Sequence, residues 1–149
     1  MGKVLGIATR KRKRAPMDTH SKANITFEKG VGNDSRGLIK GNRQVTVLTI
    51  EDWRIACQEI NSDTPWTTRR ANLLIENIEL KNTKGKVLII GDVQLEIMGE
   101  LNPCGRMDEQ VAGLTNALLP NWRGGVKCKI LKEGKVKEGD TVVLEATFQ

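Results

Sequence analysis

A mainly β fold is what this sequence predicts: a closed or partly closed, mostly antiparallel β-barrel with a few peripheral helices. Two observations predict it. Short β-branched and apolar runs recur along the chain, separated by clusters of Gly and Asn. A small internal echo then marks turns that feed strands: Gly91-Asp92 leads into Val93-Gln94-Leu95-Glu96, and Gly139-Asp140 leads into Thr141-Val142-Val143-Leu144-Glu145. A meander of this kind has edges that must close on themselves or be covered.

In chain order, Lys3 to Thr9 is a short strand that ends in a basic segment. Ala23-Asn24-Ile25-Thr26-Phe27 alternates apolar with polar residues, as a half-buried strand does, and Gln44 to Ile50 repeats the pattern more strongly. Thr49-Ile50-Glu51-Asp52 then opens a helix, with Thr49 as its cap and Trp53, Ala56, Cys57 and Ile60 on one face. Further strands are expected over Leu73 to Ile78, Lys86 to Ile90, Val93 to Met98, Gly125 to Leu131 and Thr141 to Phe148. A second helix is expected from about Asp108 to Leu118, striped by Val111, Leu114 and Leu118 and stopped by Pro120. The short segment containing Val136 should pair with the last strand as a hairpin. With three Trp, two Phe and no Tyr, the core must come mainly from Ile, Val and Leu.

The 149 residues suffice for one domain with a real core, and the hydrophobic fraction of 38% suits a soluble globular protein. The net charge of +6 is local: without Arg10-Lys11-Arg12-Lys13-Arg14, 19 basic residues face 18 acidic ones. Three cysteines, no Cys-x-x-Cys pair and the single His20 argue against a disulfide framework and a zinc site, and for a reducing compartment. Val4 to Ala8 is too short for a signal-peptide core, and no stretch approaches a membrane span. A cytoplasmic protein with no membrane partner is therefore expected.

Cys104 is the sharpest chemical signal. It lies in Asn102-Pro103-Cys104-Gly105, the composition of a turn, whereas buried thiols sit inside apolar runs. A turn cysteine with Arg106 nearby suits thiolate chemistry or soft-metal ligation, although an unremarkable loop thiol fits the same residues. No His, Ser or second Cys lies near it in sequence, so a self-contained triad is not expected. Cys57 and Cys128 read as core residues: the first falls on an apolar helix face, the second alternates inward with Val126 and Ile130. Arg43, Arg69, Arg70 and Asn72 supply donors suited to phosphate or a polar heterocycle, but an Arg-Arg pair is also what a solvated surface looks like. The segment from Gly30 to Gly37 lacks dinucleotide-motif spacing and reads as a turn.

The basic run allows three readings: a solvated loop, a non-specific nucleic-acid contact, or the lining of an anion-binding mouth. Single-strand binders need stacking platforms, and no aromatic stands beside this run.

Taken in order, the motifs resemble a known family. They are Val31-Gly32-Asn33-Asp34, Arg43-Gln44-Val45-Thr46-Val47-Leu48, Arg69-Arg70-Ala71-Asn72-Leu73-Leu74, Gly99-Glu100 through Pro103-Cys104, Trp122-Arg123-Gly124-Gly125-Val126, and Gly139-Asp140-Thr141-Val142. This succession resembles the MOSC domain, named after the C-terminal domain of molybdenum-cofactor sulfurase, in its short stand-alone bacterial form. The likeness runs from Lys3 to Glu145, so residues 1–149 are expected to form a single such domain. It implies a pyruvate-kinase-barrel-like fold and a role around the molybdenum cofactor, molybdopterin, a pyranopterin carrying a dithiolene and a terminal phosphate.

The family's cysteine corresponds to Cys104, which the resemblance makes both metal ligand and catalytic sulfur. Arg43, Arg69, Arg70, Asn72 and Arg123 are then expected to converge on one mouth of the barrel as the anion and pterin subsite. Whether the protein is itself an enzyme stays open. As an enzyme it would be a sulfurtransferase, carrying sulfur as a persulfide, or an oxidoreductase reducing N-hydroxylated compounds. Its partner would be a cysteine desulfurase or an external electron donor, because the chain has no pyridoxal-phosphate domain and no ferredoxin-type cysteine cluster. The competing reading is a nucleic-acid-binding β-barrel led by Arg10 to Arg14.

Overall fold

Alternation decides which side of each strand faces the core. In the computed structural model, which describes residues 1–12, 14–34 and 44–146, the run from Val93 to Glu100 buries Val93, Leu95 and Ile97 and half-exposes the residues between them. The chain order is β1 (Gly2–Thr9), β2 (Asp18–His20), β3 (Lys22–Thr26), β4 (Gly30–Val31), β5 (Val45–Thr49), α1 (Ile50–Glu59), β6 (Leu73–Glu76), β7 (Val87–Ile90) and β8 (Val93–Glu100). There follow α2 (Arg106–Gln110), α3 (Leu114–Leu118), β9 (Val126–Lys132), β10 (Gly134–Lys137) and β11 (Thr141–Glu145). Two 3-10 turns, Trp66–Arg69 and Pro120–Trp122, stand before β6 and β9.

Seven strands close into a mixed barrel in the order β11-β7-β8-β9-β5-β6-β1, and β1 pairs back to β11. Among the described residues only the β5–β6 contact is parallel, and α1 carries the chain across between these two strands. The barrel interior is lined by Ile, Val and Leu, with Ile7, Leu73, Ile75, Leu88, Ile90, Leu95 and Ile97 all fully buried. Each such side chain stabilises the fold by about 1.5–3 kcal/mol.

The strand β5 is buried on both faces. Val45 and Val47 point into the barrel, whereas Leu48 joins Trp53, Leu74, Met107, Leu114 and Leu118 in a second cluster outside it. Helix α1 starts as its sequence dictates, with Thr49 Oγ1 accepting from Asp52 N at 3.2 Å. The Trp53 indole N–H donates to Thr64 O at 3.0 Å.

Three expectations change. The helix from Asp108 to Leu118 is broken into α2 and α3, because Val111 is extended and Gly113 adopts φ 87° where α1 crosses close by. The strands flanking Gly139-Asp140 do not form a hairpin. Instead β10 pairs with β3 in a small second sheet, β10-β3-β4, and β11 pairs with β7. Their turn is still tied together, Asp140 Oδ2 accepting from Lys137 N at 2.9 Å. The last strand ends at Glu145 instead of running on to Phe148, which lies outside the described residues. Among the described residues, no helix is long and apolar enough to cross a membrane.

Candidate functional site

Thr46 shares the outward face of β5 with Leu48, and over it the chain builds a polar cavity of about 340 Å³. Five arginines line it (Arg10, Arg14, Arg69, Arg70 and Arg106) against two carboxylates, Asp34 and Glu109, a balance of +3. Cys104 is on its wall and is the exposed thiol of the chain, whereas Cys57 and Cys128 are buried. Burial pushes both of those thiols up in pKa.

Each lining group arrives from a different element. Arg10 and Arg14 belong to the loop after β1. Asp34, fully buried, accepts from Arg10 N at 2.8 Å and so ties that loop to the turn after β4. Arg70 takes a left-handed backbone, φ 68°, at the end of the 3-10 turn. Its guanidinium donates to Ala15 O, and burial lowers its pKa, with Asp34 acting against that shift and Arg106 adding to it. A guanidinium remains protonated under such a shift.

The cysteine loop is held by its backbone. Cys104 O accepts from Met107 N at 2.9 Å and from Thr115 Oγ1 at 2.9 Å, while Thr115 N donates to Asp108 Oδ1 at 2.8 Å. The break between α2 and α3 is what turns Thr115 back onto the loop. The hydrogen bond from the Thr115 amide holds the Asp108 carboxyl below the usual carboxylate range.

The structure brings Cys104, Arg69, Arg70 and Asn72 together but gives them unequal freedom. Asn72 is a buried crosslink. Its Oδ1 accepts from Thr46 N at 3.1 Å and Thr46 Oγ1 at 3.3 Å, and its Nδ2 donates to Ala8 O at 3.2 Å. Arg69, also buried, donates from Nε to Gly124 O at 3.0 Å and from Nη2 to Leu101 O at 2.7 Å.

Arg123 is not among the lining residues. It pairs with Glu59 at 2.8 Å and donates to Ala117 O at 3.1 Å, bracing α1 against α3. The expected gathering at one barrel mouth is thus a side-wall cavity without Arg123, and Arg43 lies outside the described residues. Reasoning from motifs missed Arg10, Arg14, Arg106 and Asp34 as lining residues. For the first two the signal was present in the basic run, one reading of which was an anion-binding mouth.

Chemically, the cavity offers a soft sulfur beside fixed positive charge, a combination suited to an anionic ligand with a thiophilic centre. Among the described residues, no group of three or more His, Cys, Asp and Glu side chains is placed to hold a metal ion. His20 bonds to Thr9 Oγ1 at 2.7 Å and is not a lining residue, so the cavity has no imidazole base among the described residues.

Comparison with solved structures finds the same fold in small proteins. The chain is similar to the YuaD protein from Bacillus subtilis, at 17% identity and TM-score 0.82, covering 100% of this chain and 98% of that one. It is similar to YiiM from Geobacillus stearothermophilus at 13% identity and TM-score 0.77, covering 97% and 75% of the two chains. YiiM from Escherichia coli is similar at 12% identity and TM-score 0.73, covering 99% and 71%. Identities this low speak for the fold alone. No curated relative matches the chain. The sequence itself carries the family: the MOSC domain matches residues 22–143, most of the barrel and the whole cysteine loop, and the chain belongs to the MOSC domain family.

Proposed function

We propose that the side-wall cavity binds the molybdenum cofactor, with the Cys104 sulfur toward the metal and arginines toward the phosphate end. One observation carries this reading: in a chain of a family generally associated with that cofactor, the exposed cysteine lies on the wall of an arginine-lined cavity. The donor set fits the group. Thiolate sulfur is a soft ligand suited to a thiophilic metal, guanidinium matches phosphate, and about 340 Å³ is within the range of ligand cavities.

Bound there, the cofactor would supply a redox-active metal or a transferable terminal sulfur. The chain would supply the rest. Arg70, Arg106, Arg10 and Arg14 neutralise and orient the anion, while Asn72 and Arg69 keep the wall rigid. Cys104 presents its sulfur from a loop whose carbonyl is fixed. The work is sulfur transfer, with Cys104 as carrier, or reduction of an N-hydroxylated compound. A cysteine desulfurase would serve the first and an external electron donor the second. Arg10 and Arg14 are assigned to this anion and not to nucleic acid, because both line the cavity.

The test is to express the wild type and Cys104→Ser in cells able and unable to make the cofactor, then measure molybdenum and pterin in the purified proteins. Cofactor should accompany the wild type from competent cells and be depleted in the variant. If neither metal nor pterin copurifies, and added cofactor does not bind, the reading is wrong.

A further inference from the structure

We infer that Arg69 is a positioning residue for Cys104, a clip that sets the cysteine loop against the cavity, and not a ligand of the bound anion. The inference rests on the reading of Cys104 as the working group of this cavity. Arg69 is 6% exposed, and its guanidinium is engaged along its length. Nε donates to Gly124 O at 3.0 Å, Nη2 donates to Leu101 O at 2.7 Å, and Nη1 lies 3.9 Å from Met107 Sδ. Leu101 and Met107 are three residues before and three after Cys104. The clip therefore grips both ends of the cysteine loop and joins them to the segment before β9.

That facing segment is shaped to receive the clip. A methyl group on Gly124 would stand 2.6 Å from Leu101 O, 3.1 Å from Arg69 Nη2 and 3.4 Å from Pro103 Cδ. Only a residue without a side chain lets the two loops approach this closely. Leu101 N donates to Gly125 O at 2.9 Å, adding a backbone tie alongside the guanidinium. Just upstream, Asn121 and Trp122 hold left-handed backbones, φ 55° and 59°. Such conformations are rare for a bulky residue and persist only where surrounding contacts fix them. Arg123 supplies one such contact through Glu59 and Ala117 O.

A planar fork can donate in two fixed directions at once. A lysine at the same place keeps the charge but not the geometry. This separates a positioning role from an electrostatic one.

The experiment measures native Cys104 with two disulfide probes, one an aryl disulfide bearing two carboxylates and the other a neutral dipyridyl disulfide. Each rate is divided by the rate for the urea-unfolded chain, which removes intrinsic probe reactivity. The wild type should prefer the anionic probe by roughly tenfold at low salt, the lower end of what a focused charge field gives.

Arg69→Lys should lose most of that preference, as should Arg69→Ala, and Gly124→Ala should lose it with no charge changed. Restoration of the wild-type preference by lysine would overturn the inference, and so would a folded Gly124→Ala that keeps it. If Gly124→Ala does not fold, the comparison of lysine with alanine at position 69 decides alone. The measurement uses protein without cofactor, so its failure is distinct from a failure of cofactor to copurify.

Discussion

Replacing Asn72 with Ala separates a wall residue from a ligand. Asn72 is 2% exposed, and its carboxamide serves three partners on two neighbouring strands: Thr46 N, Thr46 Oγ1 and Ala8 O. Truncation strands the Thr46 amide and the Ala8 carbonyl in a buried place. An orphaned buried group costs about 1–3 kcal/mol, and water reaching the cavity side offsets part of it, so a net loss of about 3 kcal/mol is expected.

For a chain of this size that corresponds to a fall of about 6–12 °C in Tm. Urea unfolding followed by tryptophan fluorescence checks it through the midpoint, with the slope unchanged. Asn72→Asp keeps an acceptor for Thr46 but turns an oxygen toward Ala8 O, and it should be at least as damaging. If Asn72→Ala loses less than about 1 kcal/mol yet binds cofactor poorly, the residue is a ligand and the crosslink argument fails.

Alkylation of the native protein followed by peptide mapping should label Cys104 alone, with Cys57 and Cys128 reacting only after unfolding. Cys104→Ser should remove activity and metal retention yet leave stability within about 0.5 kcal/mol, because the side chain is exposed. Arg70→Ala should weaken anion binding about tenfold or more, the loss of one charge-assisted hydrogen bond. Its affinity should also fall less steeply with ionic strength than that of the wild type. Asp108 has a folded pKa depressed below 3.8, so its contribution is whole above 3.8 and is lost as pH falls through the folded value. Exchange of the Thr115 amide should accelerate in that acid window in the wild type, and Asp108→Asn, which keeps a neutral acceptor, should remove the pH dependence.

How much of this was legible from sequence depends on the kind of signal. Strands that bury one side, such as β8, and a helix with a side-chain cap, such as α1, announce themselves locally. The short β2 and β4 do not, being three and two residues long, and Gly134–Lys137 holds one apolar residue whose pairing with β3 is set by tertiary contacts. The break at Gly113 was readable as a glycine but was overridden by the apolar stripe. At the site, the turn composition around Cys104 pointed correctly to an exposed thiol. The fate of a guanidinium cannot be read that way. Arg69, Arg70 and Arg123 look alike in a motif, yet one clips loops, one faces the cavity and one braces helices, according to which carbonyls the fold brings within reach.

The joint between β1 and β11 has a kinetic consequence. It rests on two residue pairs, Gly2 with Val142 and Lys3 with Thr141, supplemented by Val4 N to Asp140 O and Gly139 N to Val4 O. Forming it draws together positions separated by nearly the entire described chain. The entropy lost in such a closure increases only logarithmically with separation, but it must be met before the contact returns anything. Docking of the final strand is therefore expected to come late and to govern the folding rate. Until then β7 lacks a partner on one side and so does the Gly2–Lys3 end of β1, since β2 covers only Ile7 to Thr9, a transient opportunity for intermolecular strand addition. Chaperone demand during synthesis should accordingly be concentrated in the interval before residues 141–145 emerge.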